Sequence, residues 1–168
     1  MFYENSKYFN EINENIKNIE NYIICIKANI DKKDITGKIE SDLRMNLVIK
    51  STGLFEQLFS DIILKFAINN SSPIFHKYFE NNFMKPGKNP DSERINGLLK
   101  AIDIAPVKRA ESPVAYESLN SLFKLRNNLA HGELEFTETL EQITNYINHS
   151  IEFMKLVIKH MNNYEINK

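Results

Sequence analysis

An arginine and a histidine five positions apart are the residues of this chain best suited to chemistry on a charged substrate. Arg126 and His131 stand in the string LRNNLAHG at residues 125–132. Arginine keeps its charge and can hold two phosphate oxygens at once, whereas histidine exchanges protons near neutrality. The pair therefore suits a phosphodiester, with His131 in a proton-transfer role and Arg126 stabilising the negative charge of the transition state.

The spacing of this pair has a consequence for how a site would be assembled. At about 100° per residue, five positions separate the two side chains by roughly 140° around a straight helix. Either the helix unwinds at His131 and Gly132, or a second subunit completes the pair, and the two alternatives are compatible. A twofold dimer would bring the same patch into register with itself.

The residues around the pair predict a helix that positions it. Ser112 and Pro113 are typical of a helix start, a capping hydroxyl followed by proline at the first helical position. Gly132 suits the left-handed conformation that ends many helices, so His131 is expected at a helix C-terminus. The apolar face between these ends is formed by Leu119, Leu122, Phe123, Leu125, Leu129 and Ala130.

Apolar residues at steps of three and four predict helices along most of the remaining chain. One ends near residue 30, a long one covers about 39–68, and the last covers about 137–161, followed by a frayed tail. No segment alternates convincingly as a strand would. We therefore predict an all-α fold, a bundle of about five to six helices in which residues 1–168 form a single domain.

The centre of the chain is rich in proline. All five prolines lie between residues 73 and 113, where a long helix cannot be sustained. Two short helices are expected there, over about 74–84 and about 92–102, the second behind an Asp91 or Ser92 N-cap. This proline-rich central stretch is predicted to elaborate the bundle.

The amount and distribution of charge limit the class of function that the chain can have. The net charge is −1, so the chain lacks the global basic field of a protein that coats nucleic acid. Residues 85–131 nevertheless hold eight Lys/Arg against five Asp/Glu, and residues 132–168 hold three against six, so the basic surplus ends at the motif. That surplus is either an RNA path or ordinary solvated surface.

The single cysteine and the apolar runs bear on location. Cys25 cannot form an intrachain disulfide, and its apolar surroundings predict a small buried hydrophobic side chain. No apolar stretch approaches the roughly 20 residues of a membrane span. We expect a cytoplasmic protein that does not bind a membrane.

The whole string, with Arg126-Asn127 and His131-Gly132 on one predicted helix, resembles the HEPN superfamily (higher eukaryotes and prokaryotes nucleotide-binding). That superfamily is defined by Arg-x4-6-His, often with Asn directly after the Arg. Within it, the chain looks most like the prokaryotic RiboL-PSP-type proteins found in toxin–antitoxin and anti-phage defence systems. The helix order of nearly the full chain fits, but only the motif is residue-specific.

The resemblance implies a metal-independent endoribonuclease, without a cofactor, that acts as a homodimer with two motifs facing one another in a composite cleft. Arg126 and His131 then take the catalytic roles, and Asn127 is the polar residue that orients them. Because RNA carries its own 2′-OH nucleophile, the expected products are a 2′,3′-cyclic phosphate and a 5′-hydroxyl. The implied partners are RNA, with tRNA as a plausible substrate, and an antitoxin or defence-system protein.

Other polar residues are candidates for substrate binding. Lys124, Arg109 and Tyr116 could line an RNA path by charge and stacking. Glu56 is either an inward acid that holds Arg126 or His131 or, as we favour, a surface or structural residue.

A departure and an alternative accompany the resemblance. Glu133 stands where a tyrosine follows the histidine in HEPN toxins silenced by adenylylation, so control by that route is not expected. In the alternative interpretation, Arg126 is a surface cation and His131 a helix-terminal charge worth about 0.3–1 kcal/mol. The chain would then be a catalytically silent HEPN-like module that binds RNA, a nucleotide or a protein.

Overall fold

The computed structural model describes residues 7–30, 37–72, 89–132 and 137–166. These residues form the five helices α1 (Lys7–Ile30), α2 (Gly37–Asn70), α3 (Ser92–Ala101), α4 (Pro113–Ala130) and α5 (Leu140–Ile166), with no strand among them. The predicted all-α fold is confirmed. The short helix predicted over about 74–84 lies outside the described residues. Among the helices that are described, none is long and apolar enough to cross a membrane.

Helix α2 lies at the centre of the packing. It contacts α1, α4 and α5, while α4 and α5 pack along one another and α3 packs against α4. A helix with neighbours on several sides buries side chains on more than one of its faces. The second half of α2 is buried in this way. The largest fully buried side chains of the core include Phe55, Phe123, Phe153, Leu47, Leu58, Ile62, Leu99 and Leu119.

The apolar period of α1 is confirmed, but the prediction for its cysteine is wrong. Ile16, Ile19, Ile23 and Ile26 are buried, at steps of three and four. Cys25 is exposed. The apolar run that contains it is wider than the buried stripe of an amphipathic helix, so the residues between Ile23 and Ile26 face outward.

The ends of α4 decide how the motif is presented. Pro113 is at the first helical position as predicted, although the Ser112 side chain makes no capping hydrogen bond. Gly132 has a φ of +82°, the left-handed conformation predicted for the helix stop. His131 is the C-cap residue, and its backbone N–H donates to the carbonyl oxygen of Asn127 at 3.0 Å.

Helix α5 differs from its prediction at both ends. It begins at Leu140 rather than near residue 137, behind a capping box: the Thr139 hydroxyl accepts from the Gln142 N–H at 3.2 Å, and the Gln142 side chain accepts from the Thr139 N–H at 2.8 Å. The helix continues to Ile166, so the predicted frayed tail is wrong for its greater part. The Tyr164 ring packs on Phe66, 5.7 Å between centroids, and this contact holds the last turns against α2.

Candidate functional site

The Arg–His motif occupies the C-terminal end of α4. Arg126 is half-buried in the last helical turns, and His131 is exposed at the C-cap. Because α4 is helical through Ala130, the two side chains leave the helix about 140° apart. No hydrogen bond or ion pair joins Arg126 to His131 in the described part of the chain. The motif of one chain therefore presents two separate functional groups.

Asn127 connects the motif to the segment before α3. Its Oδ1 accepts from Arg126 Nη1 over a long 3.5 Å contact and from Asn89 Nδ2 at 2.5 Å. A guanidinium can only donate, so its proximity favours the amide orientation that presents the oxygen to Arg126. The Asn127 Nδ2 group is then left as a donor for another partner.

A line of polar side chains runs along α4 to the motif. Asn120, Lys124, Asn127 and His131 are separated by four, three and four positions, which places them within about 60° of one another around the helix. Lys124 is exposed and the two asparagines are half-buried. We call these four residues the polar stripe. Lys124, a predicted substrate-binding residue, therefore lies on the same side of α4 as His131.

A pocket of about 240 Å³ opens beside the polar stripe. The start of α3 forms its other wall, where the Ser92 N–H donates to Asn120 Oδ1 at 3.1 Å. Asn127 lines the pocket and also contacts Arg126, so pocket and motif share one residue. The described residues that line the pocket are Asp91, Glu93, Asn120, Phe123, Lys124 and Asn127.

Sequence reasoning did not identify this pocket. Asn120 was detectable from the recurrence of polar residues at helical steps before His131. Asp91 was considered only as an N-cap, and it has that role, since its Oδ1 accepts from the Arg94 N–H at 2.9 Å. Nothing local to Asp91 or Glu93 signals that α3 begins opposite α4.

Glu56 interacts with α3 rather than with the motif. The pKa of Arg94 is lowered by burial, and the negative charges of Asp91 and Glu56 oppose that shift. Glu56 on α2 is therefore close enough to Arg94 to stabilise its charge, while none of the interactions of the described residues joins it to Arg126 or His131. This placement agrees with the structural role that we favoured.

The structure does not bring Arg109 and Tyr116 together with the motif. Arg109 forms an ion pair with Glu117, 2.8 Å between Nε and Oε1. Tyr116 lies edge-on to Phe153 with ring centroids 5.8 Å apart, a core contact. Fifteen residues of helix, about 22 Å, separate Tyr116 from His131. Both residues lie at the opposite end of α4.

Comparison with known proteins gives one family. The family model described as RiboL-PSP-HEPN matches residues 6–163, a span from the start of α1 into the last turns of α5. Neither the curated proteins nor the solved structures contain a significant match to the chain. The resemblance inferred from the Arg126–His131 string is confirmed, and it extends over the helices that surround the motif.

Proposed function

Because the chain belongs to the RiboL-PSP-HEPN family, we propose that it is a metal-independent endoribonuclease that cleaves RNA by 2′-OH transesterification. The observation that carries the proposal is the arrangement at the end of α4. There a half-buried arginine contacts an asparagine, and an exposed histidine caps the same helix. These are a fixed cation, an orienting amide and a proton-transfer group at one end of the same helix.

The chemistry needs few groups because the substrate supplies the nucleophile. The 2′-oxygen attacks the adjacent phosphorus, the O2′–P bond forms and the P–O5′ bond breaks. The His131 imidazole accepts the 2′-OH proton, and water protonates the departing 5′-oxygen. Arg126 binds the non-bridging oxygens as negative charge accumulates on them. The products are a 2′,3′-cyclic phosphate and a 5′-hydroxyl.

A homodimer supplies what one chain lacks. Cleavage needs a cation and an imidazole at one phosphate, and each chain has one of each at the motif. With Arg126 and His131 about 140° apart, a phosphate bound at one group is not held by the other in the same chain. We propose that two α4 ends meet across a twofold axis, so that Arg126 and His131 of both subunits line one cleft.

The biological setting follows from the family resemblance. We propose that the enzyme acts in the cytoplasm, in a toxin–antitoxin or anti-phage system, with an antitoxin or defence protein controlling it. RNA is the substrate, and tRNA is the class that the resemblance favours. The basic surplus over residues 85–131 supports attraction of a polyanion to this part of the chain.

The test is incubation of the purified protein with total RNA, with and without EDTA. The proposal expects discrete fragments with 5′-hydroxyl ends, detected by labelling with polynucleotide kinase without prior phosphatase treatment. EDTA should leave cleavage unchanged, and His131→Ala protein is the control for contaminating nucleases. Intact RNA that shifts in a gel would instead support the catalytically silent binding module, and loss of cleavage in EDTA would contradict the metal-independent mechanism.

A further inference from the structure

We propose that the pocket beside the polar stripe binds one unpaired guanine of the RNA, next to the phosphate that is cleaved. The placement next to the scissile phosphate rests on the proposed function, whereas binding of the base does not require catalysis. Asn127 lines the pocket and contacts Arg126, so a base held there lies within one side chain of the catalytic cation.

The size of the pocket limits its ligand. Its volume of about 240 Å³ is below the roughly 300–1,000 Å³ of pockets that enclose drug-sized ligands. A single planar base fits this scale better than a whole nucleotide. Unpaired RNA bases are commonly splayed into such pockets and bound along their polar edges.

One side of the pocket offers hydrogen-bond donors. Asn120 Oδ1 is engaged by the Ser92 N–H, which can only donate, so the amide orientation is set and Nδ2 remains available. Asn127 Oδ1 is likewise engaged by Asn89 and Arg126, which leaves its Nδ2. Lys124 adds an exposed ammonium between the two amides.

The facing side offers acceptors. Asp91 uses Oδ1 to cap α3, and its Oδ2 has no hydrogen bond within the described residues. Glu93, two positions later, is exposed and contributes a second carboxylate to the lining. The pocket therefore sets carboxylate oxygens opposite amide and ammonium donors.

Guanine matches this pattern better than the other bases. Its Watson–Crick edge presents two adjacent donors, N1–H and the N2 amino group, for a carboxylate. Its O6 and N7 are neighbouring acceptors, the pair that lysine or arginine recognises in nucleic acids. Adenine, cytosine and uracil each present fewer donors on the edge that would face Asp91.

The test measures binding of fluorescein-labelled 2′-O-methyl pentamers of sequence UUXUU, with X as G, A, C or U, by fluorescence anisotropy. The methyl groups remove the nucleophile, so the wild-type protein binds without cleaving. The G pentamer should bind roughly 5- to 100-fold tighter than the others, the range of one well-made base contact. Equal Kd values for all four pentamers would overturn the proposal.

Two near-isosteric variants change the assigned groups while keeping the hydrogen bond that each makes within the protein. Asp91→Asn keeps an Oδ1 acceptor for the α3 cap and turns the free oxygen into a donor, so it should abolish the preference for G. Asn120→Asp keeps the acceptor for Ser92 and removes the donor into the pocket, so it should weaken G binding several-fold. The matched controls are Asp42→Asn on α2 and Asn148→Asp on α5, both at exposed positions outside the pocket lining.

The outcomes separate this proposal from the enzymatic one. A preference for G that depends on Asp91, in a protein that cleaves no RNA, would support the guanine pocket and contradict the proposed endoribonuclease activity. Cleavage by a protein that binds the four pentamers equally would support the endoribonuclease and contradict the guanine pocket. Melting curves of each variant establish that it is folded, and a preference for G that survives in both folded pocket variants would overturn the assignment of the residues.

Discussion

The side-chain amide of Asn89 donates to Oδ1 of Asn127 at 2.5 Å, across 38 positions of sequence. The same oxygen lies 3.5 Å from Arg126 Nη1, so Asn89 acts on the motif through Asn127. Asn127 lies on α4, and Asn89 lies two residues before Asp91, the N-cap of α3. This contact links the motif to the residues immediately before the α3 N-cap.

Asn89→Ala should therefore lower cleavage without a large loss of stability. Small displacements of catalytic groups are costly, so kcat should fall by about 10- to 100-fold while KM changes little. Asn148→Ala, at an exposed position on α5, is the control and should be active. Unchanged kcat in Asn89→Ala would show that this hydrogen bond does not position the motif.

Arg126→Ala and His131→Ala should each reduce RNA cleavage by at least about 100-fold, because the proposed mechanism assigns each group a role in the transition state. Neither side chain belongs to the buried core, so the far-UV circular dichroism and the dimer mass should be unchanged. Full activity in both variants would exclude the proposed mechanism.

Mixing these two inactive variants tests the composite site. If Arg126 of one subunit works with His131 of the other, a heterodimer contains one intact pair, and re-equilibrated mixtures should recover up to about a quarter of wild-type activity. The measurement is cleavage after mixing in equal amounts, compared with each variant alone. An inactive mixture in which heterodimers are shown by mass would place the working pair within one chain.

Gly53→Ala should stabilise the protein. Gly53 is exposed in the interior of α2, and a Cβ built there meets no atom within 4 Å. Alanine then gains about 0.5–1 kcal/mol in the free energy of unfolding, measured by urea denaturation. Gly132→Ala is the contrasting control: its φ of +82° disfavours a side chain and should lower stability. A Gly53→Ala protein less stable than wild type would contradict the open surroundings of this residue.

Stability should fall in acid through Glu111, which ties the chain before α4 to α5. Partial burial acts to raise the pKa of this carboxyl, but hydrogen bonds from the Lys108 N–H and from His160, with their charges, leave the pKa below its ordinary value of 4.5. The two bonds measure 2.7 Å and 2.8 Å. Because the folded pKa is depressed, this stabilisation is present above the unfolded pKa and is lost as the pH falls through the folded pKa.

The variant Glu111→Gln should therefore lose stability at pH 7 and show a smaller further loss between pH 5 and acid than wild type. Urea denaturation at a series of pH values provides the measurement. Glu141→Gln, an exposed carboxylate on α5, is the control and should follow wild type. Parallel stability curves for Glu111→Gln and wild type would show that the contact with His160 does not contribute to pH dependence.

Much of the fold follows from local patterns. The three- and four-residue steps of Ile16, Ile19, Ile23 and Ile26 indicate which face of α1 is buried, and that face is buried. Gly132 marks the end of α4 because a left-handed residue is a local backbone requirement. The Thr139–Gln142 capping box was equally readable from sequence and was missed.

Other features depend on neighbours that are distant in sequence. Local composition predicted a buried Cys25 and a frayed tail, but helix packing exposes the first and holds Tyr164 on Phe66. The aromatic side chain of Tyr116 suggested stacking on RNA bases, but the packing of α4 on α5 directs its ring to Phe153. Side-chain surroundings of this kind are properties of the folded chain.

The sequence by itself determined the helical class and the family, and it led to the proposal of the Arg126–His131 pair, because periodicity, helix stops and motif spacing are local features of the chain. Only the tertiary structure decided that α3 begins beside the polar stripe, where Asn89 contacts Asn127 and where Asp91 and Asn120 line one pocket. The physical reason is that hydrogen bonds and pockets between elements require two surfaces to meet, and helix packing, rather than the local sequence, selects which surfaces do so.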